Sequence, residues 1–236
     1  MYKRNERADY IARKYLEYVR SGALENIAES YPNDFCYFEN ALYSKDMKIA
    51  YGYAVDGDNV WKIPDSVEIY DNLFFSGNGE DYYSLKEVYI EKNLKEIIDT
   101  FACFGMGLEK VSVSPDNNYY ASIRGCLYSK DKKELILYPP MKKGNQFTVP
   151  TGTKVIKKGA INVYTFPHIL IIPDSVEILE ENWLAEQCDK GFDWTKEEIL
   201  KATKIIIPRR FEKDIDTIWS KDSYSSSYTR PTIIYR

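Results

Sequence analysis

One short phrase recurs along this chain and fixes most of what the chain can fold into. Trp61-Lys62-Ile63-Pro64-Asp65-Ser66-Val67-Glu68-Ile69 returns as Leu170-Ile171-Ile172-Pro173-Asp174-Ser175-Val176-Glu177-Ile178, and Phe147-Thr148-Val149-Pro150-Thr151-Gly152-Thr153-Lys154-Val155 is a third copy. Val88-Tyr89-Ile90 and Val111-Ser112-Val113 repeat the strand part without the proline, and Ile205-Ile206-Ile207-Pro208 is a sixth copy. The last apolar residues, Ile63, Ile90, Val113, Val149, Ile172 and Ile207, are separated by 27, 23, 36, 23 and 35 residues. Two spacings of 23 and three longer ones mark a unit of that length carrying insertions, within the leucine-rich-repeat range. Such units stack on their neighbours into a solenoid.

One insertion is itself duplicated. Ala41-Leu42-Tyr43-Ser44-Lys45-Asp46-Met47-Lys48 matches Cys126-Leu127-Tyr128-Ser129-Lys130-Asp131-Lys132-Lys133 at a separation of 85 residues. The Ser-Lys-Asp-x-Lys segment between apolar runs predicts a hairpin turn, with strands near 125–128 and 134–138 in the second copy. The start of the chain has a different period. Over residues 6–20, Tyr10, Ile11, Tyr15, Tyr18 and Val19 fall at helical spacings, which predicts a helix that buries a tyrosine-rich stripe. Residues 23–29 allow a further helical turn or two before Tyr31-Pro32 stops it.

The phrases around Ile63-Pro64-Asp65-Ser66-Val67 and Ile172-Pro173-Asp174-Ser175-Val176, with Ile156 and Ala160-Ile161, resemble the BspA-like, Treponema-type leucine-rich repeats of bacteria. Residues 117–139 resemble the hairpin insertion of that family. The resemblance covers about residues 40–219. Most copies lack its second-half glycine, Phe101-Ala102 inverts its Ala-Phe order, and the last copy has slipped register around Asp214 and Ile215. It implies a solenoid that serves as an interaction module, often at a bacterial surface, without catalytic chemistry.

The expected fold is therefore an α+β repeat solenoid of leucine-rich-repeat type, with about six strand-turn repeats of roughly 23 residues and inserted β-hairpins. Its expected parts are an N-terminal helical cap over 1–40, a solenoid over 41–219 and a C-terminal tail or cap over 220–236. Hairpin insertions are expected near 41–55 and 118–145, and a helical insertion near 181–203.

Side chains alternate along a strand, so the two apolar residues of each phrase point inward and the residue between them points out. The outward column is then Lys62, Tyr89, Ser112, Thr148, Ile171 and Ile206, flanked by Glu87, Lys110, Gln146 and Lys204. Stacking makes this column one contiguous surface, polar in its first half and apolar at Ile171 and Ile206. The apolar end is either a partner surface or lies under the tail. The expected function is protein–protein interaction through this face; the alternative is a surface adhesin or carbohydrate-binding protein. A homodimer through the C-terminal repeats is a further outcome the apolar end leaves open.

Other classes fail on inventory. The single His168 has no nucleophile spaced to it, Asp46 and Asp131 sit where hairpin turns favour aspartate, and Gly105-Met106-Gly107 lacks the residues of a phosphate loop. No enzyme activity or cofactor is expected. Cys36, Cys103, Cys126 and Cys188 show no paired spacing, so no metal site is expected either. Residues 1–118 carry 13 basic and 21 acidic side chains, and 119–236 carry 19 and 15, balances of −8 and +4. The positive surplus is too small for a nucleic-acid footprint. No apolar leader and no run of eighteen apolar residues is visible, which predicts a cytoplasmic protein without a membrane span, or a surface or secreted one if the chain is a processed form.

Overall fold

Each apolar-x-apolar phrase becomes a short strand whose two apolar side chains stack on those of the next phrase. The computed structural model describes residues 6–15, 24–53, 59–73, 85–98, 104–105, 107–162, 167–185, 204–219 and 231–236. Helices α1 (Glu6–Tyr15) and α2 (Leu24–Ser30) lead into an antiparallel meander of β1 (Phe35–Phe38), β2 (Ala41–Ser44) and β3 (Ile49–Tyr53). The chain then coils through β4 (Val60–Lys62), β5 (Ile69–Asp71), β6 (Glu87–Ile90), β7 (Glu96–Ile98) and β8 (Lys110–Val113). A second meander follows: β9 (Tyr120–Ile123), β10 (Cys126–Ser129) and β11 (Glu134–Leu137). The coil resumes with β12 (Gln146–Thr148), β13 (Val155–Ile156), β14 (Ile161–Asn162), β15 (Ile169–Ile171), β16 (Ile178–Leu179), β17 (Leu184–Ala185) and β18 (Lys204–Ile207). It ends in a 3-10 turn (Arg209–Phe211), α3 (Glu212–Trp219) and β19 (Thr232–Tyr235).

Two faces result. The first carries the sheets β4-β6-β8 and β12-β15-β18-β19, parallel throughout. The second carries β1-β2-β3-β5-β7 and β16-β13-β11-β10-β9, in which the meanders are antiparallel and the remaining pairs parallel. β14 and β17 form a small parallel ladder of their own. Trp61, Val88 and Val111 stand in register and buried, as do Phe147, Leu170 and Ile205. Burying one such side chain stabilises by about 1.5–3 kcal/mol, so each rung is held by the pair it inserts.

The Pro-x-x-apolar segment after the strand is a β-turn that swings the chain between faces. The carbonyls of Pro64, Pro150 and Pro173 accept from the amides of Val67, Thr153 and Val176. Ser114 and Asn117 make the same bond in a copy without proline at that position. The last rung departs from the pattern: after the Pro208-to-Phe211 turn the second face receives α3 in place of a strand, with Phe211 and Ile215 buried. This is the physical form of the slipped register near Asp214.

The two meanders are copies in geometry as well as sequence. Glu39 and Asn40 (φ 44° and 61°) join β1 to β2, and Arg124 and Gly125 (φ 52° and 80°) join β9 to β10. Positive φ at both central residues suits the twist of a two-residue hairpin loop. In the next turn the Ser44 and Ser129 hydroxyls each donate to Asp46 and Asp131 at 2.7 Å. The amides of Lys48 and Lys133 donate to the same aspartates at 3.1 Å, and Met47 and Lys132 both take positive φ.

At the N-terminal end the buried stripe of α1 is Ala8, Ile11 and Ala12, while Tyr10 is 66% exposed. Tyr10 departs from the expected buried stripe while Ile11 keeps to it, and Phe35 and Tyr51 of the meander bring aromatic bulk to this junction, edge to face at 5.5 Å. The side chain of Tyr15, and Tyr18 and Val19, lie outside the described residues. β1 falls inside the stretch expected as cap, so each insertion has three strands where a two-stranded hairpin was expected. Of the helical insertion expected near 181–203, residues 181–185 are a turn and β17, and 186–203 lie outside the described residues.

The duplication isolates one energetic difference between the halves. Trp61 Nε1 donates to the buried Tyr43 hydroxyl at 3.4 Å, and Phe147 stands where this donor would be in the second copy. Tyr128, the counterpart of Tyr43, instead has the buried Thr153 near it, at the position of Val67. Burial raises the pKa of the Tyr128 phenol, and neither its oxygen nor that of Thr153 has a hydrogen-bond partner among the described residues. Replacing both hydroxyls by apolar groups should cost nothing and gain up to about 2 kcal/mol, whereas orphaning the Trp61 donor should cost about 1 kcal/mol or more. Urea denaturation is expected to give Tyr128→Phe/Thr153→Val a stability at or above wild type and Tyr43→Phe one below it. The opposite order would refute the assignment.

Candidate binding face

The register of the first face sets where each outward residue stands. Lys62, Tyr89 and Ser112 form one row, with Glu87 and Lys110 in the row beside it. Thr148, Ile171 and Ile206 form another, with Gln146 and Lys204 alongside. The ten residues therefore form two strips, and the expected single column is corrected. The second meander separates them: Val111 N–H donates to the Gly125 carbonyl and Ser122 Oγ to the Val111 carbonyl, which fills the edge of β8 that β12 would need. Glycine suits this tip: Gly125 has φ +80°, and a Cβ there would lie 3.1 Å from Lys110 Cγ, so the lysine side chain would have to give way.

The first strip spends its charges on joining rungs. The Glu87 carboxylate accepts from Lys110 Nζ and Ser112 Oγ, both at 2.7 Å. Those bonds, the lysine's first, hold its pKa below the usual carboxylate range. Lys62 Nζ pairs with Glu91 at 3.0 Å and lies 5.6 Å from the centre of the Tyr89 ring. Its pKa is raised, chiefly by the Glu91 bond. On the second face Glu68 bridges Lys48 and Lys95 at 2.6 and 2.5 Å, which lowers its pKa to about 2. Each such exposed pair is worth little alone, but together they record the stacking order.

The second strip is apolar. Ile171 and Ile206 are half-buried, and of the tail the described residues 231–236 do not lie over them: β19 joins the sheet in plane, parallel to β18, and sets Ile234 opposite Ile206. Ile234 is 41% exposed, and Ile169, half-buried, adds a further isoleucine between Gln146 and Lys204. The sequence reading omitted Ile169 and Ile234. Their signal was parity alone, two residues before Ile171 and the alternate position of Thr-Ile-Ile-Tyr. Ile233 and Tyr235 turn inward onto the core that Leu170 and Ile205 belong to.

Chemistry of other kinds has little to work with among the described residues. No group of three or more His, Cys, Asp and Glu is placed to hold a metal ion. Cys36 and Cys126 are free thiols, and burial pushes the Cys126 thiol up to about 12, where it carries no thiolate at neutral pH. No described helix is long and apolar enough to cross a membrane.

Strand stacking of this kind defines a β-solenoid of leucine-rich-repeat type. No family model matches the chain, and no curated protein matches it. Among solved structures it is similar to a leucine-rich repeat protein from Eubacterium ventriosum, at 22% identity and a TM-score of 0.42, over 63% of this chain and 35% of that one. It is also similar to the pneumococcal vaccine antigen PcpA (20%, TM-score 0.39, 51% of this chain and 35% of that one). A leucine-rich cell surface protein from Faecalibacterium prausnitzii gives 24% and a TM-score of 0.39, over 49% of this chain and 30% of that one. The chain thus spans about a third of each of these proteins.

The charged strip makes a pH prediction. A carboxylate whose folded pKa is depressed contributes stability that is present above its unfolded pKa of about 4.3 and is lost as pH falls through the folded value. Glu87 is such a group. Carboxylate NMR titration is expected to find it below the ordinary glutamate range in the wild type and back near that range in Lys110→Met/Ser112→Ala. An unchanged Glu87 titration in that variant would show that these bonds do not form in solution.

Proposed function

We propose that this protein is a non-enzymatic binding module that takes a protein partner on the outward isoleucine strip of β15, β18 and β19. The observation that carries the reading is the row Ile171, Ile206 and Ile234, three isoleucines in register on an outward sheet surface. Rows of large apolar side chains left on a surface usually mark an interface. Polar Thr148, Gln146 and Lys204 border the row and would form its rim. The charged strip is the weaker candidate, since Lys62, Glu87, Lys110 and Ser112 are already occupied with one another and with Glu91. Tyr89, half-buried and beside the Lys62 ammonium, offers no open aromatic platform of the kind a sugar ring would need, which favours protein over glycan.

The test is a selection of binders to the wild-type protein from a display library of small protein domains, followed by affinities for two variants. Ile171→Asp/Ile206→Asp is expected to weaken most selected binders by tenfold or more while retaining a cooperative melt. Lys62→Glu/Lys110→Glu is expected to leave them within a few fold. Binders that depend on the charged strip and ignore the isoleucines would overturn the reading.

A further inference from the structure

The two strips differ in how their charge is balanced. On the first, each lysine meets a glutamate: Lys62 with Glu91 at 3.0 Å, Lys110 with Glu87 at 2.7 Å and Lys86 with Glu109 at 4.0 Å. The described segments 139–153, 167–173, 204–208 and 231–236, which form the second strip and its turns, carry Lys142, Lys143, Lys204 and Arg236 but no Asp or Glu. Lys204 is exposed and makes no ion pair among the described residues.

The seam between the strips is positive as well. Lys143 reaches across it to Glu109 at 3.0 Å, the carboxylate that Lys86 already approaches. Lys142 donates from its ammonium to the Arg124 carbonyl, a bond that leaves its charge uncancelled. Arg124 is exposed and has no ion pair among the described residues. The isoleucine row therefore has cations on two sides: Arg124, Lys142 and Lys143 at the seam, and Lys204 in the adjoining row.

Spacing adds a second constraint. Neighbouring strands lie about 4.8 Å apart, so Ile171, Ile206 and Ile234 cover roughly 10 Å from first to third. An α-helix crossing the strands sets residues of one face, three or four apart, at about 5–6 Å and advances roughly 10 Å over the same three positions. An extended segment sets same-face side chains about 6.7 Å apart and would be out of step by the third isoleucine.

We propose that the isoleucine strip takes an amphipathic α-helix of a partner protein, crossing β15, β18 and β19, with apolar side chains on Ile171, Ile206 and Ile234 and acidic ones facing Lys204 and the seam. This rests on the reading of the strip as a binding face and states what kind of protein segment occupies it. A helix satisfies its own backbone, so it docks through side chains alone and needs no strand edge. Opposite charge at the rim would set its direction and register and speed its association. The same cations would draw an anionic membrane, but peripheral anchoring needs apolar side chains buried about 5–10 Å into the headgroup region. Ile171 and Ile206 are half-buried in the plane of a sheet, which suits a protein surface laid over them.

The intact protein is used to select binders from two peptide libraries, one helical and one extended, each with acidic and basic codons at equal frequency. Binders are expected from the helical library, with a net negative charge, and their affinity should fall several-fold between about 50 and 500 mM salt. Lys143→Glu/Lys204→Glu should weaken them about tenfold or more, and Lys143→Arg/Lys204→Arg should leave them within about threefold. The neutral Ile171→Ser/Ile206→Ser should weaken them about as much as the charge reversal. All three variants change outward side chains and should melt cooperatively. Binders that are neutral or basic, or that come from the extended library, while still failing on Ile171→Ser/Ile206→Ser, would overturn the acidic helix and leave the binding face standing. Binders that ignore the isoleucines would remove both. Sedimentation with vesicles of equal parts phosphatidylserine and phosphatidylcholine is expected to leave the protein in solution. Vesicle binding that Ile171→Ser/Ile206→Ser abolishes would assign the strip to a membrane and overturn the proposal.

Discussion

The parallel backbone ladder is the constraint on which everything else depends. Once Trp61, Val88 and Val111 are held in register by β4, β6 and β8, the side chains between them have no choice but to form outward rows of the same register. The ladder also dictates inter-rung chemistry. A lysine and a glutamate one coil apart, such as Lys110 with Glu87 or Lys157 with Glu180, 23 residues away in each case, come into contact because the coil length matches their separation. The ion pairs follow from the stacking and do not cause it; the buried apolar pairs supply the driving force.

Parity made the repeating part legible. The inward pairs, the turn after each strand and the outward polarity of Lys62 and Tyr89 against Ile171 and Ile206 could all be read from alternation within a phrase. The first strand of each meander could not. Phe35-Cys36-Tyr37-Phe38 and Tyr120-Ala121-Ser122-Ile123 occupy the same place in the two copies yet share no identical residue. What the positions require is extended backbone beside a hairpin, which many sequences satisfy. The division of the outward face was equally hidden. It depends on where the tip at Arg124-Gly125 docks, and that is decided by the edge of β8, some eleven or more residues earlier, through the Val111–Gly125 bond. Ile234 was missed because Thr232-Ile233-Ile234-Tyr235 is a single apolar phrase without the proline or turn that marks the other rungs.

The meanders show why a solenoid of this kind needs something at its ends. Each presents two sides. Tyr43, Ala41 and Ala50 of the first belong to the core of their own half, and their counterparts Tyr128, Cys126 and Leu135 belong to the core of the second. The opposite sides face backwards along the chain. Leu127 of the second meander is buried in the core of the first half, with Tyr120 and Ile136 packed against it. The corresponding Leu42, Phe35 and Tyr51 meet no rung among the described residues, and are buried instead with Ala8, Ile11, Leu24 and Ile27 of the two helices.

The helices α1 and α2 therefore stand where a preceding rung would stand, and their composition follows from that role. A rung would offer strand residues at fixed spacing; the helices offer Leu24 and Ile27 from one and the small Ala8 and Ala12 around Ile11 from the other, filling the space left by the larger Phe35 and Tyr51. Packing density sets this complementarity, since a large residue at the buried Ala8 or Ala12 would have to displace neighbours in an already filled cluster. The same block of meander and coil is thus used twice in one chain, once on a helical substitute and once on a true rung. What differs between the copies is what their outward faces were left free to become: a charged strip that ties rungs together, and an apolar strip carried across β15, β18 and β19.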